Sequence, residues 1–363
     1  MSKNKQPLVG QVAVVAGATR GAGRGIARAL GEAGAIVYCT GRSVAGHPSP
    51  YARAETIDET AELIEAAGGE AVPVRVDHTV EAEVGALFAR VDRDHGRLDV
   101  LVDAVAGEDP MMGQWTSFWK TDLKNGEAIF RQALLSHMIT AKHAAPLMIR
   151  ARRGLIVEVT EGDALGAGGN PMTQSIKLSL KCLALNMAAE LKPHGVSAIA
   201  ITPGFLRSEL MLEHFGVTES NWREAGKKDK NFLASESPRF VGRAVAVLAR
   251  EPNLLAKSGQ LFSSWEVARD YGITDADGSR PDWDSHNIDF SRHPDSLLDR
   301  LRTGAEIQLE WLERLRERTV RFLERLPSSR PASRKPTAPG ARGQRTRHSS
   351  KPATAKSSSK LKA

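Results

Sequence analysis

The sequence predicts a doubly wound α/β protein, in which helices cover both faces of one parallel sheet. Short apolar runs alternate with segments of helical spacing, and the runs lie at 12–16, 36–40, 71–76, 98–102, 155–160, 196–202 and 260–263. The principal helical segments lie at 26–33, 80–95, 128–150 and 174–192. Strands that are apolar throughout are typical of parallel sheets buried on both sides, and this favours the doubly wound class.

The pattern changes beyond Trp265, and the sequence predicts three parts: a domain at 1–265, an extension at 266–326 and a tail at 327–363. Residues 270–294 are rich in Asp, Gly, Ser and Pro, which is typical of an extended loop. Residues 295–326 predict an amphipathic helix, packed on the body or on a second subunit, because apolar side chains recur at helical spacing: Leu298, Leu301, Ile307, Trp311, Leu315 and Phe322.

The positive charge of the chain belongs to the tail. The chain has 50 Lys and Arg against 43 Asp and Glu, but ten of the basic residues and none of the acidic ones lie at 327–363, so the remainder has 40 against 43. Such a tail is expected to be disordered. It is either a solvated extension or a weak, non-specific contact for nucleic acid or acidic membrane surfaces, and without aromatic residues it offers no base stacking.

Several function classes find no support in the sequence. The two cysteines, Cys39 and Cys182, are far apart and form no metal or disulfide pattern. The first residues form no apolar signal segment, and no run reaches the roughly 18 apolar residues of a membrane span. We therefore expect a soluble cytoplasmic protein. His137, His143 and His194 have no ligand spacing, so no metal site is predicted and they are interpreted as ordinary helix residues.

A glycine-rich loop follows the first predicted strand and opens a helix. Gly17, Gly21 and Gly23 mark the loop, together with Thr19, Arg20 and Ala22 between them. A nucleotide diphosphate requires such a loop, since the backbone must approach the phosphates closely and the helix N-terminus supplies free amides. The strand–loop–helix context therefore predicts dinucleotide binding on a Rossmann-like fold.

The second predicted strand indicates which dinucleotide is bound. An acidic residue at its end would bind the ribose hydroxyls of NAD, but the chain continues Cys39-Thr40-Gly41-Arg42. Arg42 and Arg20 can instead bind a 2′-phosphate as charged donors, which favours NADP(H).

Residues 8–265 resemble the short-chain dehydrogenase/reductase family. The matches are the glycine loop, Asp77 near the expected adenine, the Pro203-Gly204 turn beside the expected nicotinamide with Ser208 after it, and Gly259-Gln260 before the last strand. Residues 201–222 and 235–249 indicate one particular branch of that family. The resemblance implies a nicotinamide cofactor and a Tyr-x-x-x-Lys pair, in which the Tyr moves the proton and the Lys holds the nicotinamide ribose.

This chain departs from that pattern. Its three tyrosines, Tyr38, Tyr51 and Tyr271, are followed four residues later by Arg, Glu and Asp, so Tyr-x-x-x-Lys is absent. Alignment places Lys177 at the family's Lys and Thr173 at its Tyr. The family's Ser falls at Thr160 or Glu161, its helix Asn near Ala133, and its Asn-Asn-Ala-Gly stretch begins at Asp103.

The substitution at 173 changes the acid–base chemistry. A phenol has a pKa of about 10 and can be tuned towards neutrality, whereas an aliphatic hydroxyl is a much weaker acid. Thr173 can hydrogen-bond a carbonyl but is a poor proton donor. A carboxyl at Glu161 or Asp163 would replace the Tyr only if burial raised its pKa, and Lys177 opposes that rise.

Three functions remain open: an NADP-dependent oxidoreductase of carbonyl or alcohol substrates with non-standard chemistry, a degenerate dinucleotide-binding sensor or assembly subunit, and an interaction protein acting through its tail. The glycine loop, Arg42 and Lys177 favour the first two. The resemblance implies a lid after Gly204, including 205–215 and Trp222, over a small-molecule substrate. The Leu, Met and Phe residues of this segment favour an apolar ligand. The resemblance also implies a homo-oligomer paired through 128–150 and 174–192.

Overall fold

The structure is a computed structural model of the chain, and it describes residues 6–47, 53–106, 117–120, 122–162 and 171–286. All of these residues belong to the first of two units into which the chain divides, Met1–Ser296. The predicted helix at 295–326, the basic tail and Asp163 lie outside the described residues.

One parallel sheet of seven strands organises this unit, in the order β3-β2-β1-β4-β5-β6-β7. The strands are β1 Val12–Ala16, β2 Ile36–Gly41, β3 Glu70–Arg75, β4 Val100–Asp103, β5 Gly154–Val159, β6 Val196–Thr202 and β7 Leu261–Ser263. The sheet grows in one direction through β2 and β3 and in the other through β4 to β7. The predicted doubly wound class is confirmed, and each predicted strand lies within two residues of an observed one.

Nine named α-helices connect and flank these strands in the described part of the chain. They are α1 Gly21–Glu32, α2 Ile57–Ala66, α3 Glu81–His95, α4 Leu123–Phe130, α5 Ser136–Ala151, α6 Pro171–Leu191, α7 Glu209–Phe215, α8 Pro238–Leu248 and α9 Ser264–Tyr271. The predicted helix at 128–150 is in fact two helices joined by a π-helical segment, Arg131–Leu135.

The two faces of the sheet bury separate cores, which explains the uninterrupted apolar strands. In β1, Ala13 and Val15 face a core completed by α1 and α8, while Val12 and Val14 face another completed by α3, α5 and α6. Because successive side chains of a strand point to opposite faces, both sets must be apolar.

The segment after β7 packs with the sheet domain. Helix α9 includes residue 265, where the sequence predicted a domain boundary. Asp275, which follows the end of this helix, is buried. Residues 272–286, which were expected to form an extended loop, therefore contribute to the described unit up to His286.

Candidate active site and cofactor cleft

A cleft of about 710 Å³ lies at the carboxyl edge of the sheet. Its walls come from the segments that follow β1, β2, β4, β5 and β6, and the strand order reverses between β1 and β4. In open α/β sheets this reversal point is where ligands bind, since the loops diverge there and leave a crevice.

The glycine loop is the tightest part of the cleft wall. Gly17 adopts a φ of +81°, and a Cβ at this position would lie 2.6 Å from the carbonyl oxygen of Ala104. A Cβ on Gly23 would lie 2.1 Å from the carbonyl oxygen of Gly17. No side chain fits at either position, so the backbone itself forms the wall. Gly17, Thr19, Arg20, Gly21, Ala22 and Gly23 all line the cleft.

A carboxylate from a distant part of the sequence contacts this loop. Glu209, the first residue of α7, accepts a hydrogen bond of 2.8 Å from the backbone amide of Gly21. Its other oxygen lies 3.5 Å from a terminal nitrogen of Arg24. Glu209 thus interacts with the helix N-terminus that is expected to bind a diphosphate.

Arg20, Arg42 and Asp77, which are expected to bind the adenosine end of a dinucleotide, all line the cleft. An Arg42 nitrogen lies 3.9 Å from the Asp77 carboxylate, and an Arg20 nitrogen lies 3.6 Å from Glu55. Burial alone would raise the pKa of Asp77, but hydrogen bonds from the Thr79 hydroxyl and amide, together with Arg42, lower it below its ordinary value. The cleft wall therefore carries two guanidinium groups here, each beside a carboxylate.

Lys177, on α6, lines the cleft, and its side chain is only 13% exposed. Its Nζ is 3.9 Å from the carboxylate of Glu161, which is 66% exposed. Thr160 is buried and donates a hydrogen bond of 2.9 Å to the Lys177 carbonyl, so its proton is used to fasten α6 to the end of β5. The structure brings Lys177, Thr160 and Glu161 together in the cleft.

Thr173 stands one helical turn before Lys177 on α6 and is partly buried. It is not among the described residues that line the cleft. Of the two tyrosines in the described ranges, Tyr38 bonds to Asp94 and His95, and Tyr271 bonds to Glu251 and Lys257. Neither of these two phenols lines the cleft.

The Pro203-Gly204 turn lines the cleft and is held by a carboxyl that sequence reasoning missed. Glu236 is fully buried, and its Oε2 accepts hydrogen bonds from the Gly204 amide and from the Ser264 hydroxyl. Burial outweighs these bonds and raises the pKa of Glu236 to about 8. Glu236 thus joins the turn to the first residue of α9.

Aromatic and aliphatic side chains form the wall opposite the glycine loop. The predicted lid contributes Phe205, Leu206, Leu210 and Met211, while Trp265 and Trp283 come from segments not connected with the cleft by sequence reasoning. The rings of Phe205 and Trp283 meet edge to face at 5.8 Å. This wall is apolar, in keeping with the expected apolar ligand.

A buried ion pair anchors the lid segment. The guanidinium of Arg207 is fully buried, lies 3.1 Å from Asp275 and 2.9 Å from Glu219, and stacks on the Trp222 ring at 4.0 Å. The sequence signalled none of these contacts, because the partners are separated by up to 68 residues along the chain.

His137, which was interpreted as an ordinary helix residue, lies in a helix but has buried polar partners. It is buried in α5, its Nδ1 lies 2.5 Å from Glu158, and its Nε2 lies 3.0 Å from the carbonyl oxygen of Val105. Asp103 is buried beside this pair. The three side chains come from β4, α5 and β5, so spacing along the chain could not reveal them.

A glycine-rich helix N-terminus at the reversal point of a parallel sheet defines a dinucleotide-binding α/β protein. The model of the short chain dehydrogenase family matches residues 11–215. The chain therefore belongs to the short-chain dehydrogenase/reductase (SDR) family and is an SDR-type oxidoreductase.

Similar proteins agree with this assignment. The mouse and human proteins named dehydrogenase/reductase SDR family member 1, the branch indicated by residues 201–222, are each 38% identical to this chain. These matches cover 78% and 75% of this chain and 89% and 85% of those proteins. Hydroxynaphthalene reductase arp2 of Aspergillus fumigatus is 28% identical, over 71% of this chain and 92% of its own length.

Solved structures share the fold. A hydroxysteroid dehydrogenase from Escherichia coli matches with a TM-score of 0.57 at 22% identity, over 72% of this chain and 98% of that one. A metagenomic short-chain oxidoreductase in complex with NADP matches with a TM-score of 0.53 at 26% identity, over 71% and 96%. In the part of the chain that the structure describes, we find no helix with the length and apolar character of a membrane span.

Proposed function

We propose that this chain is an NADP-dependent oxidoreductase that interconverts a carbonyl and an alcohol on a small apolar substrate. The observation that carries the proposal is the continuous cleft from the glycine loop to Lys177, with Arg42 at the end of β2 where an NAD-binding protein would carry an acid. An NADP complex of a similar short-chain oxidoreductase supports the choice of cofactor.

The residues of the cleft fit a nicotinamide dinucleotide, which when bound supplies hydride transfer. The amides at the start of α1 would bind its diphosphate, and the missing Cβ atoms of Gly17 and Gly23 let the loop pack tightly against its own backbone and the residues after β4. Arg42 and Arg20 would bind the 2′-phosphate, and Asp77 the adenine end. Lys177 would hold the nicotinamide ribose, beside the Pro203-Gly204 turn.

The proton chemistry must differ from the family pattern, because no Tyr-x-x-x-Lys exists in the chain. By the alignment Thr173 takes the Tyr position, but it is not among the described residues that line the cleft, so we assign it no proton transfer. Glu161, exposed and 3.9 Å from Lys177 Nζ, can exchange protons with water, but it lacks the burial that would make a strong general acid. Slow turnover follows from this arrangement.

The absence of the Tyr also supports a second candidate, a dinucleotide-binding sensor or assembly subunit without turnover.

Exposed apolar side chains along α5, α6 and the preceding π-helical segment support a homo-oligomer paired through these helices: Leu135, Met138, Leu178 and Leu185.

Cofactor binding is tested by titrating the protein with NADPH and NADH and following nicotinamide fluorescence. Arg42→Ala should weaken NADPH binding about tenfold or more, the value of a charged hydrogen bond, and leave NADH binding nearly unchanged. Arg90→Ala, which removes an exposed Arg paired with Asp94, is the matched control. No saturable signal with either dinucleotide would refute both candidate functions.

Turnover is tested with a panel of apolar ketones and aldehydes, by the loss of NADPH absorbance. We expect slow oxidation of NADPH that Thr173→Tyr accelerates, while Thr173→Val does not. If neither the natural chain nor the Tyr variant turns over any substrate although both bind NADPH, the sensor function is favoured. If Glu161→Gln abolishes an existing activity, the exposed carboxylate is the proton donor.

A further inference from the structure

Three ionisable side chains are buried together beneath the floor of the cleft. Asp103 ends β4, Glu158 lies on the neighbouring strand β5, and His137 is the second residue of α5. The two carboxylates occupy paired positions of adjacent strands, so they point to the same face of the sheet, towards α5. No side chain of the three is more than 1% exposed, and their donor atoms lie within 4.8 Å of one another.

This cluster has more acceptors than donors. Both carboxylate oxygens of Asp103 and the Oε1 of Glu158 have no hydrogen-bond partner among the described residues. Burial, together with the neighbouring Glu158, raises the pKa of Asp103 well above its ordinary value, and the positive charge of His137, which bonds to Glu158, only partly opposes that rise. Burial of carboxylate oxygens without partners is strongly unfavourable, and a bound ion is one way in which such orphan atoms are satisfied.

The imidazole is oriented in the way metal ligands usually are. A backbone carbonyl only accepts hydrogen bonds, so the Nε2 of His137 carries a proton and donates it to Val105. A carbonyl partner of this kind fixes the tautomer of many metal-binding histidines. The Nδ1 faces Glu158 at 2.5 Å and donates a proton to it in the absence of an ion. Loss of that proton would leave a lone pair that points at the carboxylates and can serve as a ligand.

We propose that Asp103, His137 and Glu158 bind one divalent first-row transition-metal ion. One imidazole nitrogen with two carboxylates suits ions such as Zn²⁺ and Mn²⁺, whereas Mg²⁺ and Ca²⁺ prefer oxygen ligands alone. An ion that displaces the protons of the cluster would leave two ionised carboxylates and a neutral imidazole, with a charge of −2 that a divalent cation balances. The ion would also supply the partner that the three orphan oxygens lack.

The position of the cluster determines what the ion does. The residues that follow Asp103 and Glu158, from Ala104 to Ala106 and from Val159 to Glu161, line the cleft. Since all three ligands are buried, the ion ties β4, β5 and α5 together below the cleft and does not contact substrate. It is a structural site that keeps the floor of the cleft in place.

The proposal is tested on full-length, tag-free protein treated with a chelator and then titrated with Zn²⁺, Mn²⁺ or Co²⁺. After desalting, we expect elemental mass spectrometry to find one equivalent of metal per chain. We also expect the bound metal to raise the melting temperature of the protein. Co²⁺ should give visible ligand-field bands. Asp103→Asn and His137→Gln should each weaken binding about tenfold or more, as loss of ligand support does in metal sites.

Glu236→Gln is the matched control, because it removes another fully buried carboxyl that is outside the cluster. Its metal content should equal that of the natural chain. Asp103→Asn restores the residue type that the family resemblance implies at this position, so this variant is expected to fold. If a variant fails to fold, the metal content and the Co²⁺ spectrum of the natural chain test the proposal without it. Less than about a tenth of an equivalent of bound metal, with no Co²⁺ spectrum, would overturn the proposal.

Discussion

Glu209→Gln is expected to tighten the binding of NADPH. In the structure the Glu209 carboxylate bonds to the amide of Gly21 at 2.8 Å, at the helix N-terminus where the diphosphate is expected. The dinucleotide must therefore displace this carboxylate or tolerate a like charge beside its phosphates. Glutamine removes the negative charge and keeps a weaker acceptor of the same shape.

The size of the effect follows from the type of hydrogen bond that is lost. A hydrogen bond to a charged group is worth about 1.5–3 kcal/mol and a neutral one about 0.5–1.5 kcal/mol. The Glu209 side chain is 27% exposed, which reduces the difference through solvent screening. We therefore expect a gain of about 1 kcal/mol, or roughly fivefold in Kd.

The assay is a fluorescence titration with NADPH at constant ionic strength. Glu59→Gln is the matched control, because Glu59 also pairs with Arg24, at 2.7 Å, but does not contact the Gly21 amide. An unchanged or weaker affinity in Glu209→Gln, with Glu59→Gln equal to the natural chain, would show that the diphosphate does not use this amide.

Three further changes test the lid anchor, the turn and the glycine loop. Arg207→Met should destabilise the protein by about 3–5 kcal/mol in urea unfolding, since it leaves Asp275 buried without its cation. Glu236→Gln should flatten the pH dependence of stability between about pH 4.5 and 8. There the folded chain holds a proton that the unfolded chain releases, so stability falls as pH rises, by at most about 1.4 kcal/mol per pH unit. Gly23→Ala should abolish NADPH binding, because its Cβ would lie 2.1 Å from the Gly17 carbonyl oxygen.

Each of these changes has a control in the same chain. Arg223→Met removes the exposed guanidinium on the same Trp222 ring and should cost less than about 1 kcal/mol. Gly85→Ala adds a methyl group in α3 at 3.3 Å from His143, a contact that a small side-chain movement relieves, so NADPH binding should persist. If the free energy of unfolding of Glu236→Gln depends on pH as steeply as that of the natural chain, another group causes the dependence.

Much of the candidate cofactor site was predictable because its residues follow strands directly. The glycine loop follows β1, Arg42 follows β2, Asp77 follows β3, and Pro203 follows β6. The carboxyl ends of parallel strands lie at one edge of a sheet, so a correct strand assignment places these residues together without knowledge of the packing.

Other parts of the cleft were missed for a common reason. Glu236 reaches Gly204 across 32 residues, and Trp283 meets Phe205 from a segment that looked like a plain loop. No local pattern marks such contacts, because they depend on how α8 and the residues after α9 pack over the sheet.

The sequence by itself determined the alternation of strands and helices, the dinucleotide-binding loop and the absence of the Tyr-x-x-x-Lys pair. These properties are local, since they depend on residues a few positions apart and on periodicity. The tertiary structure alone decided that Asp103, His137 and Glu158 share one buried space and that Glu209 reaches the Gly21 amide. Strand register and helix packing produce these contacts, and both bring together residues that are far apart in the chain.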